Sequence, residues 1–191
     1  MCEKTIIDQY LDAGKHLTLL EGKAPILSKW TENEVSAVRV ERHKGNLGWV
    51  IGDGDLVVDV DPKNCGDQSW SKLCSELDLD LEHTVNTPSG GFHIYLSCPV
   101  GSYKKNLKKY PGIDFLTKGS QCVIPSSSID GVYYAWDDED FGCFAQGDAP
   151  DALVNLIKGE DRTVKIAKNL DLGDFEGLIG NSTTSASEVI E

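Results

Sequence analysis

The sequence predicts an α+β fold, because two helical patterns alternate with several short strand patterns. Residues 3–13 carry apolar side chains at helical spacing before Gly14, and residues 67–81 repeat apolar side chains in the same way. Several segments of four to six apolar or alternating residues lie between and after these helices and are typical of strands. With 191 residues and 40% hydrophobic content, the chain can bury a core of its own.

Each predicted element rests on a local pattern. The stretch HLTLL predicts a short strand, and EGKAPILSKW predicts a loop. Three stretches each predict a pair of strands around a turn. In NLGWVIGDGDLVVDVD the turn is Gly52 to Asp55, and in TVNTPSGGFHIYL it is the PSGG segment. The third pair consists of GIDFLT and QCVIP, with the turn at Lys118 to Ser120. A further strand is predicted at GVYYAW, and Pro150 opens a helix that ends near Gly159. All four tryptophans, Trp30, Trp49, Trp70 and Trp136, are expected in the core.

The C-terminal stretch differs in composition from the rest. The ending GNSTTSASEVIE is rich in Gly, Ser and Thr and has few residues that could form a core. We therefore expect a folded domain over residues 1–158, followed by a partly flexible helix or linker segment over residues 159–191.

Charge and cysteine spacing exclude several classes of function. The net charge of −13 argues against wide nucleic-acid binding, although Lys104, Lys105, Lys108 and Lys109 form one local basic cluster. The six cysteines include no C-x-x-C pair, so they predict neither a zinc ribbon nor a redox motif. No apolar run is long enough to span a membrane, and the N-terminus lacks a signal-peptide layout, so a cytoplasmic protein is expected.

Three predicted strands each carry polar side chains on one face. Strand side chains alternate, so Asp59 and Asp61 share a face of LVVDVD, opposite Leu56, Val58 and Val60. By the same alternation, His93 in FHIYL and Asp114 in GIDFL each lie opposite apolar neighbours. If these strands are neighbours in a sheet covered by helices on one face only, the polar groups converge on the open face.

Such a cluster of carboxylates requires a cation. Oxygen ligands without cysteine favour Mg²⁺ or Mn²⁺, and two ions roughly 3.5 to 4 Å apart are typical of phosphoryl transfer. Taken singly, each signal has a plainer interpretation: a D-x-D pair is common at strand ends, SGG is a common turn, and His93 alone would be a hydrogen-bonded structural residue. A calcium loop is excluded, because Lys63 and the missing glycine break the EF-hand pattern.

The order of these motifs resembles the bifunctional DNA primase/polymerase (prim-pol) domain of the archaeo-eukaryotic primase superfamily, of the phage or plasmid type. The resemblance runs from about Lys23 to Trp136. Before the acidic motifs, Lys23 and Pro25 match the family's Lys-x-Pro, and Asn46 and Gly48 match its Asn-x-Gly. Asp59 and Asp61 match the paired-acid motif. The Ser-Gly-Gly-x-His motif is matched by Ser89, Gly90, Gly91 and His93, and the hydrophobic-acid motif by Ile113 and Asp114. Two departures are the lack of an Arg soon after Asp114 and the replacement of Pro-Pro-Ser by Pro125, Ser126 and Ser127.

The resemblance implies a fold, an activity and a site. The fold would be an RRM-like catalytic sheet with helices on one face, joined to an N-terminal α/β unit. Asp59, Asp61 and Asp114 would bind two Mg²⁺ or Mn²⁺ ions. The nucleoside triphosphate would bind at His93, Ser89, Gly90 and Gly91. Because the Arg after the third acid is missing, we assign Lys118 as the additional cation, and Ser127 is also expected to bind the nucleotide. The enzyme would make or extend primers on single-stranded DNA, which it would bind weakly alone, so a fused or partner helicase is expected.

Two alternatives remain open at this stage. A D-x-D glycosyltransferase would use the same aspartates to hold Mn²⁺ and a nucleotide-sugar, although only 58 residues precede Asp59. A non-catalytic nucleotide-binding or regulatory domain of the same fold would keep the shape without the reaction.

Overall fold

Four α-helices and twelve short strands build the part of the chain that the structure, a computed structural model, describes: residues 4–137 and 142–159. The helices are α1 (Ile6–Asp12), α2 (Ala37–Arg42), α3 (Gly66–Leu77) and α4 (Asp151–Ile157), with a 3₁₀ turn at Pro62–Asn64. The strands are β1 (His16–Glu21), β2 (Ala24–Pro25), β3 (Asn46–Val50), β4 (Asp55–Val60), β5 (Val85–Asn86), β6 (Phe92–Ser97), β7 (Ile113–Leu116), β8 (Gln121–Val123), β9 (Ser128–Ile129), β10 (Val132–Tyr133), β11 (Ala135–Trp136) and β12 (Gly147–Asp148). The predicted α+β class is confirmed.

One sheet has four antiparallel strands in the order β2-β1-β3-β8. Its centre is the β1–β3 pair, in which Leu17 lies opposite Trp49. Trp49 is fully buried and packs edge-on against Tyr10 of α1. The first three strands are N-terminal, but β8 comes from more than 70 residues later, so the N-terminal unit is completed by the distal part of the chain.

The second sheet has six strands and carries the predicted site. Its order is β11-β5-β6-β4-β7, and β12 adds in parallel beside the end of β6. The other pairings are antiparallel, with β4 at the centre between β6 and β7.

The two faces of this sheet are covered differently. Helices α3 and α4 cover one face, where Leu73 and Leu153 pack with Val58 and other apolar strand residues. On the opposite face Val57 and Tyr95 join the core of the four-stranded sheet. The expectation of a fully open face is therefore corrected: one part of that face is buried by the other sheet.

Two of the three predicted hairpins are wrong. Strands β3 and β4 are consecutive but lie in different sheets, and so do β7 and β8. The turn before β4 is held by Asp55, which is buried, accepts a hydrogen bond from the Gly52 amide and pairs with Lys15 at 2.6 Å. Turn residues reverse or bend the chain in either arrangement, so the local signal does not distinguish a hairpin from a crossing between sheets. The β5–β6 hairpin is confirmed by the pairing of Val85 with His93.

Smaller differences concern single segments. GVYYAW forms two short strands in different sheets, and β2 interrupts the predicted loop. Trp30 is only partly buried, unlike Trp49, Trp70 and Trp136. Within the described residues, no helix has the length and apolar character that crossing a bilayer requires. The predicted C-terminal segment falls, beyond Gly159, outside the described residues and stays a prediction.

Candidate active site

Three predicted site residues lie side by side across neighbouring strands. Asp59 of β4 is directly opposite His93 of β6 on one side and Asp114 of β7 on the other. Residues directly opposite each other in paired strands project from the same face. The sheet therefore brings these three side chains together on its partly open face, although they are far apart in sequence.

The carboxyl group of Asp59 has an unfavourable environment for its charge. Its pKa is raised from 3.8 to about 6, mainly by burial and additionally by the negative charges of Asp114 and Asp61. Lys23 acts in the opposite direction and lowers the pKa. Desolvation and like charges both disfavour the ionised form, so an added cation would stabilise the ionised carboxylate.

His93 is buried and neutral at pH 7. Its pKa is lowered from 6.5 to about 3, mainly by burial and additionally by the positive charge of Lys23. Its Nε2 atom is 3.6 Å from Oδ1 of Asp59, which is too long for a hydrogen bond, and the neutral ring makes no ion pair there. Its Nδ1 atom is 3.2 Å from the buried Sγ atom of Cys122. His93 thus offers a polar ring atom to the site rather than a positive charge.

Asp61 sits at the end of β4 with its carboxylate fixed by the turn that follows. Its Oδ1 accepts a hydrogen bond from the Lys63 amide at 3.1 Å, and its Oδ2 accepts one from Nδ2 of Asn64 at 3.0 Å. The Asp61 amide donates to the carbonyl of Gly112 at 2.8 Å, just before β7. A Cβ atom on Gly112 would lie 2.6 Å from Asn64 O, and the φ of Gly112 is +77°. This glycine lets the two backbones meet and sets Asp61 close to the start of β7.

One cleft of about 330 Å³ collects the three acids. Asp59, Asp61 and Asp114 all line it, together with Asn106 and Lys108 from the segment before β7. Within the described residues, no three His, Cys, Asp or Glu side chains are placed to hold a single ion jointly. The donor chemistry nevertheless suits hard divalent cations, since the cleft presents carboxylate oxygens from three backbone positions.

The turn that precedes β6 presents the Ser-Gly-Gly motif. Thr87 and Ser89 share a side-chain hydrogen bond at 3.0 Å, and the Gly90 amide donates to the Thr87 carbonyl. Gly90 has a φ of +83° and open space where a Cβ atom would stand. A Cβ atom on Gly91 would lie 2.1 Å from the carbonyl oxygen of Val60. Gly91 therefore serves close packing against the end of β4, whereas Gly90 is open to an approaching group.

None of the predicted nucleotide-binding residues lines the acidic cleft, and two of them, Lys118 and Ser127, have other partners. Lys118 is exposed, pairs with Asp53 and lines a different pocket beside His16. Ser127 is buried, and its hydroxyl accepts from the Leu47 amide at 3.0 Å and lies 3.3 Å from the Leu47 carbonyl. In this arrangement Ser127 joins β3 to the segment after β8.

Two residues near the site were not assigned a role from the sequence. Lys23 is the cation that acts on both Asp59 and His93, and its only sequence signal was the Lys-x-Pro stretch. Cys122 contacts His93 from β8, in the other sheet. No local pattern could indicate that contact, because it depends on how the two sheets pack.

Comparison with known proteins indicates the family to which the chain belongs. No curated protein matches the chain. A family model described as bifunctional DNA primase/polymerase, N-terminal, matches residues 8–153, which include both sheets and every acid of the cleft. The chain therefore belongs to the bifunctional DNA primase/polymerase family.

Proposed function

We propose that this domain is a template-directed nucleotidyltransferase that makes or extends primers by two-metal phosphoryl transfer. Family membership supports the DNA primase and polymerase activity. The observation that carries the mechanism is the alignment of Asp59 with Asp114 across paired strands, with Asp61 in the same cleft. Three carboxylates in one cleft, one of them with a raised pKa, form an anionic site that divalent cations would neutralise.

Asp59, Asp61 and Asp114 would hold the metal ions. When bound, the ions would lower the pKa of an attacking 3′-hydroxyl and neutralise the charge of the leaving pyrophosphate. Two hydrogen bonds orient the Asp61 carboxylate, and the backbone of Asp59 is held at the centre of its sheet. Binding would require the carboxylates to draw together around the ion, because no three of them are placed to hold one ion in the described residues.

The β6 side of the acids would hold the incoming triphosphate. Gly90 leaves space for a phosphate near backbone amides, and Ser89 adds a hydroxyl group. Because His93 is buried and neutral, it would contribute an N–H donor. We assign the cationic role to Lys23 rather than to Lys118, since Lys23 acts on the site while Lys118 pairs with Asp53.

A nucleotide-incorporation assay tests the proposal. We expect the protein to add labelled nucleotides to primed or unprimed single-stranded DNA with Mg²⁺ or Mn²⁺. Asp59→Asn keeps the shape of the side chain but removes its charge, and we expect it to lower incorporation by at least about 10²-fold, the scale of losing one electrostatic contact to the transition state. Asp151→Asn, an exposed substitution at the start of α4, is the matched control.

The outcomes separate the alternatives. Full incorporation by Asp59→Asn would contradict the proposed site. Nucleotide binding by the unmodified protein without incorporation would instead favour a non-catalytic domain, and binding of a nucleotide-sugar in preference to a nucleoside triphosphate would favour the glycosyltransferase.

A further inference from the structure

A lysine-rich segment forms part of the rim of the acidic cleft. Residues 104–109 read KKNLKK, and Asn106 and Lys108 line the cleft beside the acids. Lys109 pairs with Glu76 of α3. Lys104, Lys105 and Lys108 are exposed, and no carboxylate of the described residues lies within ion-pair distance of their ammonium groups. Three lysines of this segment thus have no ion-pair partner in the described part of the chain, and one of them, Lys108, lines the cleft.

The backbone of this segment, which we call the lysine loop (residues 104–109), is fixed at several points. The Lys104 amide donates to the Ile157 carbonyl of α4 at 2.7 Å. The Phe115 amide of β7 donates to the Lys105 carbonyl at 2.7 Å, and Asn106 forms an isolated β-bridge with Asp114. The backbone of the loop is therefore held against the same strand that carries an acid of the cleft.

The charge balance makes this surface unusual for the protein. The chain has 31 acidic and 18 basic residues, so most of its surface repels polyanions. Lysines without an ion-pair partner are complementary in charge to a phosphodiester backbone, because one ammonium group can neutralise one phosphate.

Sheet order decides which phosphate-bearing ligand fits. Strand β6 and the Ser-Gly-Gly turn lie on one side of β4, while β7 and the lysine loop lie on the other. In phosphoryl transfer the attacking and leaving oxygens are roughly in line across the reacting phosphorus. A triphosphate held on the β6 side therefore leaves the β7 side for the strand that supplies the 3′-hydroxyl.

We infer that Lys104, Lys105 and Lys108 hold the phosphate backbone of the primer strand, whose 3′ end reaches the acids from the β7 side. The inference rests on the proposed function, because it takes the acids to be the reaction centre. It assigns DNA contact to a short local surface, in a protein whose overall charge opposes such contact.

Salt-dependent DNA binding tests the inference separately from catalysis. The triple variant Lys104→Gln, Lys105→Gln, Lys108→Gln is compared with the unmodified protein by fluorescence anisotropy of a labelled primer–template in EDTA, so that no metal is needed. Each phosphate contact to the paired primer releases about 0.9 counterion, so the loss of three contacts should reduce the magnitude of the slope of log K against log salt by roughly 2.7. In the incorporation assay the KM for primer should rise on the order of tenfold, with the KM for nucleotide unchanged.

A charge-matched control uses basic residues that do not line the cleft. The triple variant Lys29→Gln, Arg39→Gln, Lys44→Gln removes the same number of charges from exposed positions. It should change the slope of log K against log salt by less than about half of the change expected for one phosphate contact. An unchanged slope in the loop variant, an equal reduction in both variants, or a rise in the nucleotide KM alone would each overturn the inference. Absence of nucleotide incorporation by the unmodified protein would instead refute the proposed function. The salt dependence of DNA binding would still show whether the lysine loop contacts DNA.

Discussion

At the scale of single residues, the environment of the Asp59 carboxyl group links the stability of the fold to pH. It is partly buried between Asp114 and His93, and its pKa in the folded protein is raised from 3.8 to about 6. A carboxyl group with a raised pKa binds its proton more tightly in the folded than in the unfolded state. Stability therefore falls as the pH rises through the interval from about 4 to about 6, and the full penalty is present above it.

The Asp59→Asn variant should be more stable than the unmodified protein at neutral pH, although we expect it to incorporate nucleotides far more slowly. In EDTA we expect its melting temperature to be higher at pH 7.5, because the buried charge and its repulsion by two acids are gone. Below about pH 4 the difference should disappear, since the aspartate is then protonated in both states. Differential scanning calorimetry over pH measures both results.

Metal addition supplies the complementary measurement. Mg²⁺ or Mn²⁺ that binds only the folded state should raise the melting temperature of the unmodified protein and have a smaller effect on Asp59→Asn. A variant that is less stable than the unmodified protein at pH 7.5 would show that the carboxylate is already compensated by the fold.

At the scale of elements, the junction of β4 and β6 depends on one glycine. Gly91 is buried, and a Cβ atom there would lie 2.1 Å from the Val60 carbonyl oxygen. We expect Gly91→Ala to displace the start of β6 and to lower the free energy of unfolding by about 3 kcal/mol, the upper part of the usual range for overpacking. Incorporation should fall as well, because His93 follows two residues later.

The neighbouring glycine is the control for that substitution. Gly90 has a positive φ but open space around its Cα atom, so Gly90→Ala should cost only the backbone strain of about 1 to 2 kcal/mol. Urea denaturation of both variants makes the comparison. A smaller loss for Gly91→Ala than for Gly90→Ala would mean that the two strands separate more easily than their contact suggests.

Elements also show what sequence patterns can and cannot predict. Alternation along β4, β6 and β7 predicted which faces Asp59, His93 and Asp114 occupy, because the strand period is a local property. Whether consecutive strands pair is not local, and the predicted β3–β4 and β7–β8 hairpins failed since each chain segment crosses to the other sheet. The partners of Lys118 and Ser127 likewise depend on tertiary packing.

At the scale of the whole molecule, the candidate active site is built by both sheets. The acids and His93 come from the six-stranded sheet, while Cys122 and Lys23 come from the four-stranded sheet and its β1–β2 turn. The family match covers both sheets, from residue 8 to residue 153. The N-terminal sheet is therefore part of the matched family domain.

The contact between Cys122 and His93 allows the contribution of the four-stranded sheet to the candidate active site to be measured. Burial raises the pKa of the Cys122 thiol, so the thiol stays protonated. If it donates to Nδ1 of His93, the ring proton lies on Nε2, which faces Asp59. We expect Cys122→Ser to keep this tautomer and Cys122→Ala to lose it, with a fall in kcat of roughly tenfold and little change in the KM for primer. Nitrogen-15 NMR of labelled histidine distinguishes the two tautomers directly. An Nε2-protonated ring and an unchanged kcat in Cys122→Ala would show that the six-stranded sheet orients His93 without help from the other sheet.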